Sequence, residues 1–210
     1  HKDYIKAHNI IKNGEIGKIE MVHITSRSTN PPSPKSVPFS GGMLREKGSH
    51  FYDLAHWFIG SEPTEVFATG KCLIDKNLLN FGDVDTASLI INFDCGAIAS
   101  FSFGRRSVFG QDELIEIFGS NGMITTGREI EGSLKIYKKK KNIGPPIINN
   151  TYLQFYQSYI DEIKLFSKAI KGKYNIHASI GDGLRAQAVA EAAILSIKKN
   201  IPIKIKKIWA

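Results

Sequence analysis

Between Thr64 and about Ile136 the chain offers six strand-like stretches, 64–74, 84–93, 97–106, 111–118, 122–126 and 132–138, with no helix-length gap between any two of them. Neighbouring parallel strands need a crossover of about a dozen or more residues, so such a block is expected to close as an antiparallel meander. Asp94-Cys95-Gly96 and Gly119-Ser120-Asn121-Gly122 have the composition of hairpin connections. Helical patterns flank the block. Residues 3–13 repeat Tyr4, Ile5, Ala7, Ile10 and Ile11 at helical spacing and stop at Asn13-Gly14. Lys18 to Arg27 alternates as a strand, and Ser28 to Ser40, with Pro31, Pro32, Pro34 and Pro38, reads as a loop. After the block, residues 152–171 carry Phe155, Tyr159, Ile163, Phe166 and Ile170 on one helical face. Ser179-Ile180-Gly181-Asp182 is a capping box opening a helix to about 198. Its small residues Ala186, Ala188, Val189, Ala190, Ala192 and Ala193 suit packing on a flat sheet, with Gln187 and Glu191 on the wetter side. Ile201 to Ile208 reads as a last strand or tail. The class is α+β: one domain over 1–210, a large, mainly antiparallel open sheet with helices covering one face. The other face then meets solvent or a second subunit.

Residues 45–60, Arg-Glu-Lys-Gly-Ser-His-Phe-Tyr-Asp-Leu-Ala-His-Trp-Phe-Ile-Gly, carry the chemistry. Read as a helix, they place Glu46, His50 and Asp53 on one narrow stripe, because neighbours three and four apart share a face. Phe51, Leu54, Ala55 and Phe58 fall on another face and can enter a core. A histidine's ordinary pKa of about 6.5 suits proton transfer near neutrality, and a carboxylate one turn away can orient the ring. Asp53 can accept hydrogen bonds from vicinal hydroxyls. Gly48 costs about 1 kcal/mol against alanine inside a helix, which makes sense if another group approaches closely there. The same side chains, with His56, could ligate a metal on type alone, but one helix rarely encloses an ion without ligands from elsewhere, and no metal is expected.

Composition narrows the function. An apolar share of 42% and a charged share of 23% are ordinary for a soluble domain, and no apolar run approaches the ~20 residues of a membrane span. Cys72 and Cys95 lie far apart and read as reduced thiols in a cytoplasmic protein. The net charge of +8 includes one true run, Lys138 to Lys141, ahead of Gly144-Pro145-Pro146, which reads as a solvated loop tip. No zinc spacing, helix-turn-helix pattern or aromatic interleaving joins it, so no nucleic-acid partner is expected. The chain opens on His1 and its first methionine is Met21, as in a processed product or a fragment.

Four segments in order, Lys12 to Gly17, Ser40-Gly41-Gly42 through Gly60, Glu116 to Gly122, and Asp182-Gly183 with the alanine-rich helix, resemble the C-terminal domain of the glucose–fructose oxidoreductase, inositol dehydrogenase and rhizopine catabolism protein (Gfo/Idh/MocA) family. The resemblance covers nearly the whole chain. It implies a dihydrodipicolinate-reductase-like open sheet, and a partner Rossmann domain that binds NAD or NADP and supplies a lysine from a Glu-Lys-Pro segment. It implies oxidation of a hydroxyl of a sugar, inositol or related polyol, with His50 as acid–base and Glu46 as its partner. Glu46 stands where many relatives carry Asp. Asp53 and Tyr159 match substrate-contacting positions, Arg27 falls at the pocket edge and Gln111 near another pocket position where a tyrosine is common, so all four are expected to bind substrate. There is no G-x-G-x-x-G opening a helix and no Glu-Lys-Pro, so no cofactor-binding residue is expected in this chain, which alone should not turn over. A homodimer or homotetramer through the open sheet face is expected. Two other readings stay open: a non-catalytic member that senses a sugar or nucleotide, and an NAD-dependent glycoside hydrolase.

Overall fold

The structure is a computed structural model that describes residues 1–33, 35–127, 136–138, 141–143, 151–176 and 178–208, with side chains undescribed at 136–138, 141–143 and 151–154. Pro34, residues 132–135 of the sixth strand candidate, and Lys139 and Lys140 of the lysine run lie outside the described residues. The elements run α1 (Lys2–Lys12), β1 (Ile19–Arg27), α2 (Val37–Ser40), α3 (Met43–Glu46), α4 (Gly48–Ile59) and β2 (Pro63–Lys71). After a 3₁₀ turn at Lys76–Phe81 come β3 (Thr86–Phe93), β4 (Ile98–Gly104), β5 (Asp112–Gly119) and β6 (Gly122–Gly127). The short pair β7 (Ile136–Lys138) and β8 (Lys141–Ile143) precedes α5 (Thr151–Ile170), α6 (Ile180–Lys199) and β9 (Ile203–Lys204). The proline-rich segment is thus not loop throughout, since its last four described residues coil into α2.

Seven strands form one open sheet in the order β6-β5-β1-β4-β3-β2-β9. The β2–β3, β3–β4 and β5–β6 pairs are antiparallel, with Gly119 opposite Gly122 closing the last hairpin. The block is not an uninterrupted meander, however. β1 inserts between β4 and β5, parallel to β4 with His23 opposite Ser100, and antiparallel to β5 with His23 opposite Glu116. The strand wins that central place because its alternation delivers Val22 and Ile24, both fully buried, to the core.

The inner face carries Val66, Ala68, Leu89, Ile91, Ala99, Phe101, Phe103, Ile115 and Ile117, all at most 1% exposed. Burying an aromatic or branched side chain of this kind stabilises the fold by roughly 1.5–3 kcal/mol. Onto this face pack Phe51, Tyr52, Ala55 and Phe58 of α4 and Ala186, Val189, Ala190 and Ala193 of α6. The Ser179 hydroxyl accepts from Asp182 N while the Asp182 carboxylate accepts from Ser179 N, the reciprocal cap expected from sequence. Small residues let α6 lie close to β2. A side chain at Gly70 would meet Ile197 Cδ1 at 2.9 Å. Ser196 Oγ accepts from Ala68 N at 2.9 Å and donates to Ile201 O at 2.6 Å, stitching helix, strand and tail together.

The opposite face of the sheet is open and sets apolar side chains among polar ones such as His23, Ser100 and Glu116. Met123, Phe118 and Met21 sit in register across β6, β5 and β1, and Phe67 faces Ile90 across β2 and β3, all 36–52% exposed. The apolar stripe of α5 also points outward, with Tyr159, Ile163, Phe166 and Ile170 between 50% and 73% exposed.

Candidate active site

The 45–60 segment is two helices rather than one. α3 ends at Glu46 and α4 opens at Gly48, with Lys47 between them in helical backbone at φ −82° and ψ −46°. The start of α3 is fixed from a distance. Gly41 and Gly42 take positive φ of 76° and 88°, and Asp83 Oδ1 accepts from Met43 N at 2.7 Å. A carboxylate there satisfies the orphan donor a helix N-terminus leaves. Position 48 takes glycine because a Cβ there would meet the Tyr52 hydroxyl at 2.5 Å. The close approach expected at this glycine is therefore made by the phenol of the same helix, not by a cofactor or substrate.

Since Lys47 keeps helical backbone, the stripe survives the break. Glu46, Lys47, His50 and Asp53 line a cavity of about 700 Å³. Ser26 from β1 and Asn30 just beyond it, Gln111 and Glu113 from β5 and its approach, Tyr4 from α1, and Tyr159 and Glu162 from α5 also line it. Five of the six site residues read from sequence, Glu46, His50, Asp53, Gln111 and Tyr159, thus share one cavity. Arg27 does not line it. Its guanidinium donates to the buried Asp112 at 2.5 Å and to Ser102 Oγ at 2.8 Å, which makes it an internal clamp between β1, β4 and β5.

The expected Glu46–His50 contact is not made. Glu46 Oε2 accepts from Arg105 Nη1 at 2.9 Å, and the His50 ring stands exposed at the cavity edge. Arg105 is itself buried, and its Nε and Nη2 have no partner among the described residues. Lys47, 7% exposed, donates to Ser26 Oγ at 3.3 Å. Burial, and then the Arg105 charge, bring its ammonium down from 10.5 to about 8, against the pull of Glu46 and Glu113. Tyr4 OH donates to Glu113 Oε1 across the same cavity.

Asp53 belongs to both the cavity and a second cluster. Burial, and then the Asp182 charge, raise its carboxyl pKa, while burial, and then Arg185, lower that of His56. Ligand atoms of Asp53, His56 and Asp182 all lie within 4.8 Å of one another. They do not make a metal centre, because Asp182 Oδ1 accepts from Arg185 at 2.7 Å and Oδ2 from Ser179 N and Oγ, both at 2.7 Å. With Glu62 gripping Arg185 through both oxygens at 2.9 Å, this is a closed ion network.

Sequence reasoning missed Lys47, Arg105, Glu113 and Tyr4. Only Lys47 gave a local signal, as a lysine three residues before His50 inside an otherwise buried stretch. The others arrive through long-range packing.

Comparison with known proteins identifies the family of the chain. The family model for the GFO/IDH/MocA C-terminal domain matches residues 4–125. The chain is 34% identical to inositol 2-dehydrogenase of Rhizobium meliloti (strain 1021), over 96% of this chain and 61% of that protein. It is 31% identical to myo-inositol 2-dehydrogenase of Thermotoga maritima, over 99% and 62% respectively. A solved probable dehydrogenase from Thermotoga maritima superposes with a TM-score of 0.91 at 32% identity, over 97% of this chain and 61% of that one. The chain belongs to the Gfo/Idh/MocA family and corresponds to its C-terminal domain. It spans about three-fifths of the length of the curated relatives it matches.

Proposed function

We propose that this chain is the substrate domain of an NAD(P)-dependent dehydrogenase that oxidises a hydroxyl of an inositol or related polyol to a ketone. The observation that carries the reading is the cavity itself, which joins one accessible histidine to carboxylate, amide and hydroxyl groups. Those groups hydrogen-bond a neutral polyhydroxylated ring, and the naming of the relatives as inositol dehydrogenases supports the same substrate class. His50 takes the proton of the reacting hydroxyl, while Asp53, Gln111 and Tyr159 bind and orient the neighbouring ones. Glu46, committed to Arg105, fixes the cavity wall beside His50 rather than the ring itself.

A bound nicotinamide supplies the hydride acceptor in such a reaction. The described residues do not fit its pyrophosphate. At the Gly41-Gly42 turn, where a phosphate could approach backbone, the space beside Gly42 is filled by the Asp83 carboxylate, 2.8 Å from a Cβ position. A phosphate there would meet a like charge. We therefore assign the dinucleotide to a Rossmann domain outside this chain, whose own turnover is expected to be nil. The bare apolar stripe of α5 beside the cavity suits coverage by that domain, and the open sheet face suits a homo-oligomer.

The test is reduction of NAD and NADP by the whole protein across a panel of inositols and aldoses. Turnover with an inositol is the expected result. Tight sugar or nucleotide binding without turnover contradicts it in favour of a sensor. Glycoside cleavage with NAD retained through many turnovers contradicts it in favour of a hydrolase.

A further inference from the structure

Lys47 is a cavity residue whose burial no ion pair explains. It is 7% exposed, and an ammonium taken out of water is costly unless it is paired and fully hydrogen-bonded. An ammonium has three N–H donors. Among the described residues, Ser26 Oγ at 3.3 Å is its hydrogen-bond partner. The carboxylates that attract it are engaged elsewhere: Glu46 holds Arg105 at 2.9 Å, and Glu113 accepts from Tyr4. The Arg27 cation nearby is held by Asp112 at 2.5 Å. What remains is a buried cation with open donors, facing a cavity.

The rest of the wall says what those donors can hold. Glu46, Asp53, Glu113 and Glu162 line the same space, so an anionic ligand would meet more negative charge than positive. A neutral hydroxyl meets no such penalty and accepts a charge-assisted hydrogen bond. Lys47 lies three residues before His50, and residues three apart are neighbours on a helical surface.

We infer that Lys47 is a substrate-contacting residue of this cavity: its ammonium, steadied by Ser26, donates to the polyol hydroxyl adjacent to the one whose proton His50 takes. The inference rests on the polyol-oxidation reading above. It assigns a distinct pH behaviour to the site. The groups around Lys47 are Glu46 on α3, His50 on α4, Arg27 on β1, Arg105 after β4, Glu113 on β5 and Glu162 on α5. Together with burial they bring the ammonium to about 8, so the charged donor is lost as pH rises through that value.

The experiment is steady-state kinetics of the whole protein with myo-inositol and NAD, comparing wild type, Lys47→Met and Lys47→Arg, with thermal melts alongside. Lys47→Met is expected to raise KM by about tenfold or more with kcat changed far less, since a charge-assisted hydrogen bond to bound substrate is lost. In wild type kcat/KM is expected to fall as pH rises through about 8, and Lys47→Arg, charged throughout, is expected to lack that limb. A lysine with a purely structural role would shift the melts and leave KM and the limb in place. An unchanged KM in Lys47→Met overturns the inference and leaves polyol oxidation standing. So does a limb that persists in Lys47→Arg, which decides the matter even if Lys47→Met does not fold. Wild type that turns over no inositol with either NAD or NADP overturns both.

Discussion

Two charged clusters border α4, and they are built to opposite rules. Beyond its C-terminus, Arg185 spends Nε, Nη1 and Nη2 on Glu62 and Asp182 at 2.7–2.9 Å, and Asp182 is further held by Ser179. Burial opposes the ionised Asp182, but the bonds from Ser179 and Arg185 win and hold its carboxyl down at about 2. At the N-terminal end, Arg105 leaves two buried nitrogens unpartnered among the described residues, and Lys47 has one hydroxyl partner. A saturated network stabilises and has nothing left to give a ligand. An unsaturated one is tolerated at a cost, and such deficits gather at sites that bind something. The chemistry is therefore expected at the N-terminal end of α4, and the scaffolding at the other.

Removing the hub of the closed cluster should break the comparison hardest. Arg185→Met leaves Glu62 and Asp182 facing each other, and urea denaturation should show a loss of about 2–3 kcal/mol, with KM for polyol little changed. A smaller effect of opposite sign is expected at the open end. Lys47→Met should stabilise the fold at pH 7 by about 2 kcal/mol, because a buried cation is replaced by an apolar chain of similar size. The sign follows from a folded-state value near 8 below the ordinary 10.5: between those pH values the unfolded chain holds the extra proton, so wild type gains stability as pH rises. The advantage of the variant should shrink across that window, as urea midpoints at several pH values would reveal. Smallest is Asp182→Asn, which keeps a capping side chain and loses its charge, for about 1 kcal/mol. Wild type should lose this contribution as pH falls from the ordinary 3.8 toward about 2, whereas the variant should show a flatter acid limb.

What the sequence disclosed and what it hid divide along the same line. Local features were legible: the Ser179–Asp182 capping box, the hairpin turns before Ile98 and Gly122, and the inward alternation of β3 to β5 each depend on residues a few positions apart. The Glu46–His50–Asp53 stripe was legible for the same reason, since helical spacing put all three on one cavity wall even though the helix breaks at Lys47. Partners brought in from far along the chain were not. Glu46 finds Arg105 59 positions away, which takes it from the His50 ring that helical spacing offers it, and Arg27 finds Asp112 85 positions away, which takes it from the pocket edge that the family resemblance implies. The place of β1 was hidden too, because its alternation is the same whether it pairs parallel or antiparallel.

The most direct test of the account is kcat for inositol oxidation by the whole protein carrying His50→Ala, set beside wild type under identical conditions. Loss of a positioned general base should lower kcat by about 10²–10⁴-fold, with the fold intact by its melting curve. A variant that keeps kcat within a few-fold of wild type would show that the proton leaves by another route, and that the cavity at the N-terminal end of α4 is not where the chemistry happens.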